Sequence, residues 1–176
     1  MDLCTDGAIT AACLELGWGF WIKTGAFVLS AASFVVGAAS LVVNSKHAKQ
    51  RATVELMIKQ RDDPEYHSSY LRILKIHKEN PCSTEFPWLL AGPSPDREAF
   101  RKVLNEQEFI AVGIRERAFD EEIYKQMQYT AVVSLWSATE KMVHCLRKSR
   151  DNPNIYRDFE RLAKKWKANP LRPIDD

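Results

Sequence analysis

The residues best able to do chemistry crowd into one stretch of the chain: Glu106, Glu108, Arg115, Arg117, Asp120, Glu121 and Glu122. Carboxylates beside a guanidinium can line a polar pocket for a small ligand. With shifted proton affinities they can also work as acid and base in a hydrolysis. Glu108, Arg115, Asp120 and Glu122 are therefore the candidate polar cluster. The structural alternative is favoured, with Arg115 pairing to Glu122 or Asp120 across a corner between two helices. Charges at such corners are usually paired or solvated. Asn105 and Glu108 could likewise form a buried hydrogen-bonding pair.

Other chemistry is sparse. His47, His67, His77 and His144 fall at no recognised ligand spacing, and neither HExxH nor CxxC occurs. Glu140 and His144 stand four apart on one helical face and would need a ligand from another helix to hold a metal. A plain side-chain contact explains that spacing more simply. Phosphate-binding glycine loops are absent, and the lone Gly113 inside a helical pattern reads as close helix packing. GxSxG is absent, and Cys145 lacks a nucleophile signature. The expectation is no catalytic residue, no metal and no cofactor.

These residues must be carried by helices, because no window alternates convincingly with period two. Ser45 is a possible cap for a helix to about Arg61. Asp63-Pro64 starts the next one, with Tyr66, Tyr70, Ile73, Leu74 and His77 on one face, and Asn80-Pro81 ends it. Four prolines and Gly92 make residues 81–95 the main loop, whose FPWLL core should pack down or meet a partner. Ser94 or Asp96 caps a helix to about Arg117, with Phe100, Val103, Leu104, Phe109, Ile110, Val112 and Ile114 as a wide apolar face. Asp120-Glu121-Glu122 opens another to about Lys148, with Glu121 placed to pair with Lys125. A last helix spans about Ile155 to Lys167. The expected core includes Leu104, Phe109, Ile110, Val133, Trp136, Phe159 and Trp166.

Ahead of this bundle stand twenty residues without a charge, Thr24 to Val43. As a helix they would span roughly 30 Å, the hydrocarbon thickness of a bilayer. A cleaved signal peptide fits less well, since the first 22 residues carry Asp2, Asp6 and Glu15 and no Lys or Arg. A buried core helix would need protein all round it. Lys46, Lys49, Arg51, Lys59 and Arg61 follow the run, against Lys23 before it, so the basic flank belongs on the cytoplasmic side. The fold class expected is all-α: one transmembrane helix (23–44), then a cytoplasmic bundle of about four or five helices (45–168). Residues 1–22 would lie outside a bacterial inner membrane, and 169–176 would form a flexible tail. Cys4 and Cys13 would face the oxidising side and could pair, or remain two small unpaired residues.

Ala26, Ser30, Ser33, Gly37 and Ser40 follow one another at heptad-like steps along the run. Such a seam of small residues favours close approach of two helices in lipid, although a composition so rich in Ala, Gly and Ser could produce it by chance. Residues 46–176 carry 24 basic against 20 acidic side chains, a balance too mild for a nucleic-acid binder. The expected partners are membrane lipid and either a second copy of the chain or an unidentified protein.

Three segments carry a resemblance: RATVELMIKQRDDPE (Arg51 to Glu65), LNEQEFIAVGIRERAFDEEIYK (Leu104 to Lys125) with Trp136, and YRDFERLAKKW (Tyr156 to Trp166). They resemble the bacterial domain-of-unknown-function family numbered forty-seven sixty, often found in membrane-anchored proteins and in prophage-associated genes. The resemblance implies a compact helical domain beneath an N-terminal anchor, and no activity. The leading expectation is a membrane-anchored helical protein-interaction module serving phage exclusion, defence or stress sensing. The alternatives are a tethered hydrolase or nuclease-like effector using carboxylates near Asp120, and a small membrane-active toxin.

Overall fold

In the computed structural model, residue 40 and residues 43–79 and 86–171 are described. Most of the apolar run, the seam apart from Ser40, Cys4, Cys13, Cys82 and residues 172–176 lie outside them. The chain divides into two compact units, Met1–His47 and Ala48–Asp176. Among the described residues there is no strand, and no described helix is long and apolar enough to cross a membrane.

Helix α1 covers 43–61, so Ser45 lies within helix and is not a cap. Pro64–Glu79 forms α2, whose first amides are closed by Asp63: its Oδ1 accepts the N–H of Glu65 and of Tyr66, both at 2.9 Å. The proline-rich loop contains one helical turn, α3 (Pro87–Leu90), and it buries Phe86 and Leu89. Ser94 caps α4 (Pro95–Arg115) by accepting the Arg97 N–H at 3.2 Å. Asp96, the other proposed cap, instead pairs with Arg72 of α2.

Helix α4 ends in a Schellman turn. Arg117 takes the left-handed conformation (φ 62°), Ala118 donates to the Gly113 carbonyl at 2.8 Å, and Arg117 donates to Ile114 at 3.1 Å. Asp120 then caps α5 (Glu121–Arg150), accepting from the N–H groups of Glu122 and Ile123. The last helix, α6, runs Arg157–Ala168, starting two residues later than its apolar spacing suggests because Tyr156 is left-handed (φ 55°).

Helix α4 packs on α2 and α6, α5 on α6 and α2, and α3 closes over α4 and α5. Thr53 of α1 ties that helix to the α4–α5 corner: its hydroxyl donates to the Lys49 carbonyl and accepts the Asp120 N–H at 2.7 Å. The core holds Leu104, Ile110, Trp136, Phe159 and Trp166 as expected, with Trp136 edge-on to Phe159 at 5.5 Å between centroids. Val133 is only half-buried.

Phe109 corrects the expected core, because it is 59% exposed. Phe100, Val103, Leu104, Gln107, Ile110, Ala111 and Ile114 form the buried stripe of α4. Phe109 lies nine positions after Phe100, about two and a half turns, and so falls on the opposite side of the helix. Its hydrophobicity does not override that geometry.

Candidate functional site

Three of the four members of the candidate cluster, Glu108, Arg115 and Asp120, are each held by a structural task. Glu108 closes the open end of α6: Oε2 accepts the Phe159 N–H at 2.8 Å and Oε1 the Asp158 N–H at 3.2 Å. Tyr156, at the cap position of α6, makes no side-chain cap bond, so a carboxylate from α4 does that work from about fifty residues away. Asn105 is not Glu108's partner; its Oδ1 accepts the Tyr156 hydroxyl at 3.1 Å.

Arg115 does not pair with Asp120 or Glu122. Its Nη1 meets Asp158 of α6 and its Nε meets Glu116 at 2.9 Å, and these two acids raise the guanidinium's proton affinity further. Asp120 is occupied at the cap of α5, and Glu122 is exposed to solvent. The reason is angular: the Schellman turn sends α5 away, and the face of α4 that carries Glu108 and Arg115 packs on α6 instead. A cleft of about 280 Å³ beside α6 is lined by Arg115, Glu121 and Asp158, and Glu108, Asp120 and Glu122 are not part of its lining. Glu108 and Arg115 both meet Asp158, whereas Asp120 caps α5 and Glu122 faces solvent.

Glu121 likewise corrects the expected pairing with Lys125. It binds Lys165 Nζ at 2.7 Å and Trp166 Nε1 at 3.0 Å, both on α6. Burial pushes its carboxyl up, but these two donors outweigh that and hold it below the usual value. Lys125 instead donates to the Asn169 carbonyl at 2.5 Å. Gly113 is required by the corner rather than by a neighbouring helix, since a Cβ there would overlap two ring carbons of Phe119.

Glu140 and His144 do acquire a third neighbour, Glu160 of α6, with ligand atoms within 4.8 Å of one another. Glu160 is already bound by Arg147 Nη1 and Lys164 Nζ, both at 2.6 Å, and Lys164 also lies 3.8 Å from Glu140. Two side-chain cations stand where a metal would need those carboxylates. The arrangement is an ion-pair network joining α5 to α6.

The concave feature that sequence reasoning missed lies between α1, α2 and α5. It is a cleft of about 300 Å³ walled by Val54, Ile58, Tyr70 and Met127, with Gln60 and Gln107 among its lining. Gln107 Nε2 donates to the Tyr66 hydroxyl at 2.8 Å, and burial pushes the Tyr66 phenol up to about 12 despite that bond. A signal was present. Gln107 stands three positions after Leu104 and three before Ile110, a polar residue inside the apolar stripe of α4, and Gln60 follows Met57 in the same way.

No curated protein and no solved structure matches the chain. One family model does, described as a domain of unknown function (DUF4760), over residues 27–166. The matched span begins at residue 27, ahead of the segments from Arg51 onward on which the resemblance rests. The matched span reaches back into the apolar run, and its description names neither a membrane nor a prophage. A match over so much of the chain shows the family: the protein belongs to the DUF4760 family.

Proposed function

We propose that the protein is a membrane-tethered helical module that binds a partner protein, a second copy of itself included, without catalysing a reaction. One observation carries this reading. Glu108, Arg115 and Asp120 of the candidate cluster are spent on helix caps and an inter-helix pair, while Phe109 stands exposed on α4 with the Phe119 ring 5.9 Å away. An exposed aromatic ring supplies contact area at an interface, whereas catalysis needs titratable groups that converge in a pocket. The tether rests on the charge-free run Thr24–Val43 and the basic residues after it. The same basic flank supports a cytoplasmic helical unit.

The test is photo-crosslinking in native membranes, with a photoreactive residue at position 109 and a control at exposed Lys148. A discrete adduct from position 109 and none from 148 is expected. A reporter fused after Asp176 should be active only as a cytoplasmic protein. Loss of the position-109 adduct together with periplasmic reporter activity would end the proposal.

A further inference from the structure

Three arginines share one cleft with no counter-charge among its described lining. Arg97 and Arg101 stand one turn apart on α4, Arg150 ends α5, and together they line a cleft of about 550 Å³. Asp151 follows Arg150 in the chain but is outside that lining. Two other clefts mix the signs. Arg72 and Lys102 share theirs with Glu65 and Asp96, and Arg115 and Lys165 share theirs with Glu121 and Asp158. Arg101 and Arg150 are exposed and form no ion pair among the described residues. Arg97 Nη1 donates to the Ala91 carbonyl, which ties that guanidinium to the turn after α3.

Local rules do not account for this placement. Arg97 lies in the first turn of α4, where the helix dipole favours an acid and disfavours a cation. The acids of that turn, Asp96 and Glu98, line the cleft on the α2 side instead, so α4 sorts its charges by face. Arg97 and Arg101 then repel one another at the four-residue spacing. Only Arg150 stands where a helix dipole favours it, at the end of α5. Like charges gathered in a concave surface focus a positive potential, which an anion in the cleft relieves. The neutral groups there add donors and no negative charge. Asn152 Oδ1 takes the Asn154 N–H at 2.9 Å, which leaves its Nδ2 as a donor. Burial pushes the Tyr156 phenol up to about 12, so it stays protonated at neutral pH.

We propose that this cleft binds the diphosphate group of a soluble small molecule of the nucleoside diphosphate class. Guanidinium forks grip phosphate oxygens in pairs, the geometry that makes arginine the residue of choice for phosphate. A diphosphate carries about three negative charges near neutral pH, which matches the three arginines, whereas a single phosphate carries about two at most. A cleft of about 550 Å³ lies within the range of ordinary ligand pockets. Half-buried Leu146 and Ile155 offer apolar surface to the organic part. The inference goes beyond the partner-binding reading and does not rest on it.

The experiment uses the full chain in phosphatidylcholine nanodiscs, whose lipids carry no net charge. ADP, inorganic pyrophosphate, AMP and sulfate are titrated by calorimetry at matched ionic strength. Saturable binding of ADP and pyrophosphate is expected, with AMP and sulfate at least tenfold weaker. Arg101→Gln and Arg150→Gln should each weaken ADP at least tenfold. Lys148→Gln removes the same charge from an exposed position of α5 outside the cleft and should weaken it less than twofold. Circular dichroism checks folding; if one cleft variant is unfolded the other decides, and if both are, the wild-type ranking of the four anions decides. Adding phosphatidic acid to the nanodiscs separates a dissolved ligand from a lipid headgroup: ADP affinity should hold, and a tenfold loss would assign the cleft to lipid and overturn the soluble ligand. Failure of either diphosphate to bind saturably, equal binding of all four anions, or equal losses from Lys148→Gln and the cleft variants would also overturn the proposal. So would a folded cleft variant that binds ADP as before.

Discussion

Glu108 shows how a residue chosen for its chemistry can be occupied by architecture instead. Its two oxygens take the Asp158 and Phe159 amides, the donors that any helix leaves open at its start. Local caps contribute about 1 kcal/mol, and hydrogen bonds to a charged acceptor somewhat more. Glu108→Ala should therefore lower unfolding stability by about 1–2 kcal/mol in urea titrations of the detergent-solubilised chain. Asp120→Asn, which keeps a capping oxygen for α5, should change it little. Gly113 is a second case at this scale. Gly113→Ala drives a methyl group into the Phe119 ring, and overpacking of this kind costs about 1–3 kcal/mol. Adding Phe119→Ala should recover part of that loss, a coupling that a double-mutant cycle would register.

At the scale of elements, α6 is held less by its own caps than by charges from α4 and α5. Arg115 meets Asp158, Arg147 meets Glu160, and Glu121 meets Lys165 and Trp166. In both Glu121 and Glu160 burial raises the carboxyl, and the paired cations and donors lower it by more. A folded-state value depressed below 4.5 means that the stability from these pairs is fully present above that pH. It is lost as pH falls through the folded value. Acid titration of folding, followed by circular dichroism, should show stability falling below about pH 4.5. Glu160→Gln should flatten that fall while reducing stability at neutral pH. Both side chains are partly solvent-accessible, so salt should weaken the effect.

At the scale of the molecule, the described residues share an apolar core that runs through α2, α4, α5 and α6, and in it Trp136 meets Phe159. Trp136→Ala removes a large buried side chain and leaves a cavity, which should cost on the order of 3–5 kcal/mol. Equilibrium urea unfolding of the full chain would read that loss as a lower midpoint with an unchanged slope. Removing Phe109 by Phe109→Ser should shift the midpoint little, because that ring is 59% exposed and lies outside the buried core. The contrast separates the core that folds the domain from the face proposed to meet a partner.

The sequence by itself determined the elements that depend on neighbours along the chain. Asp63 before Pro64, Ser94 before Pro95 and Asp120 before two glutamates start helices where their side chains reach the first open amides, and the structure keeps all three. Helical periodicity also placed Leu104, Ile110, Trp136, Phe159 and Trp166 in the core. Only the tertiary structure decided the rest. Glu108 caps a helix some fifty residues away, Arg115 finds Asp158 instead of Asp120, and Glu121 finds Lys165 instead of Lys125. Each of these turns on how α4, α5 and α6 are rotated about their axes when they pack, and a charge pattern carries no information on that rotation. The cleft with Gln60 and Gln107 arises in the same way: each glutamine interrupts an apolar stripe visibly in the sequence, but only packing of α1, α2 and α5 brings the two to one surface.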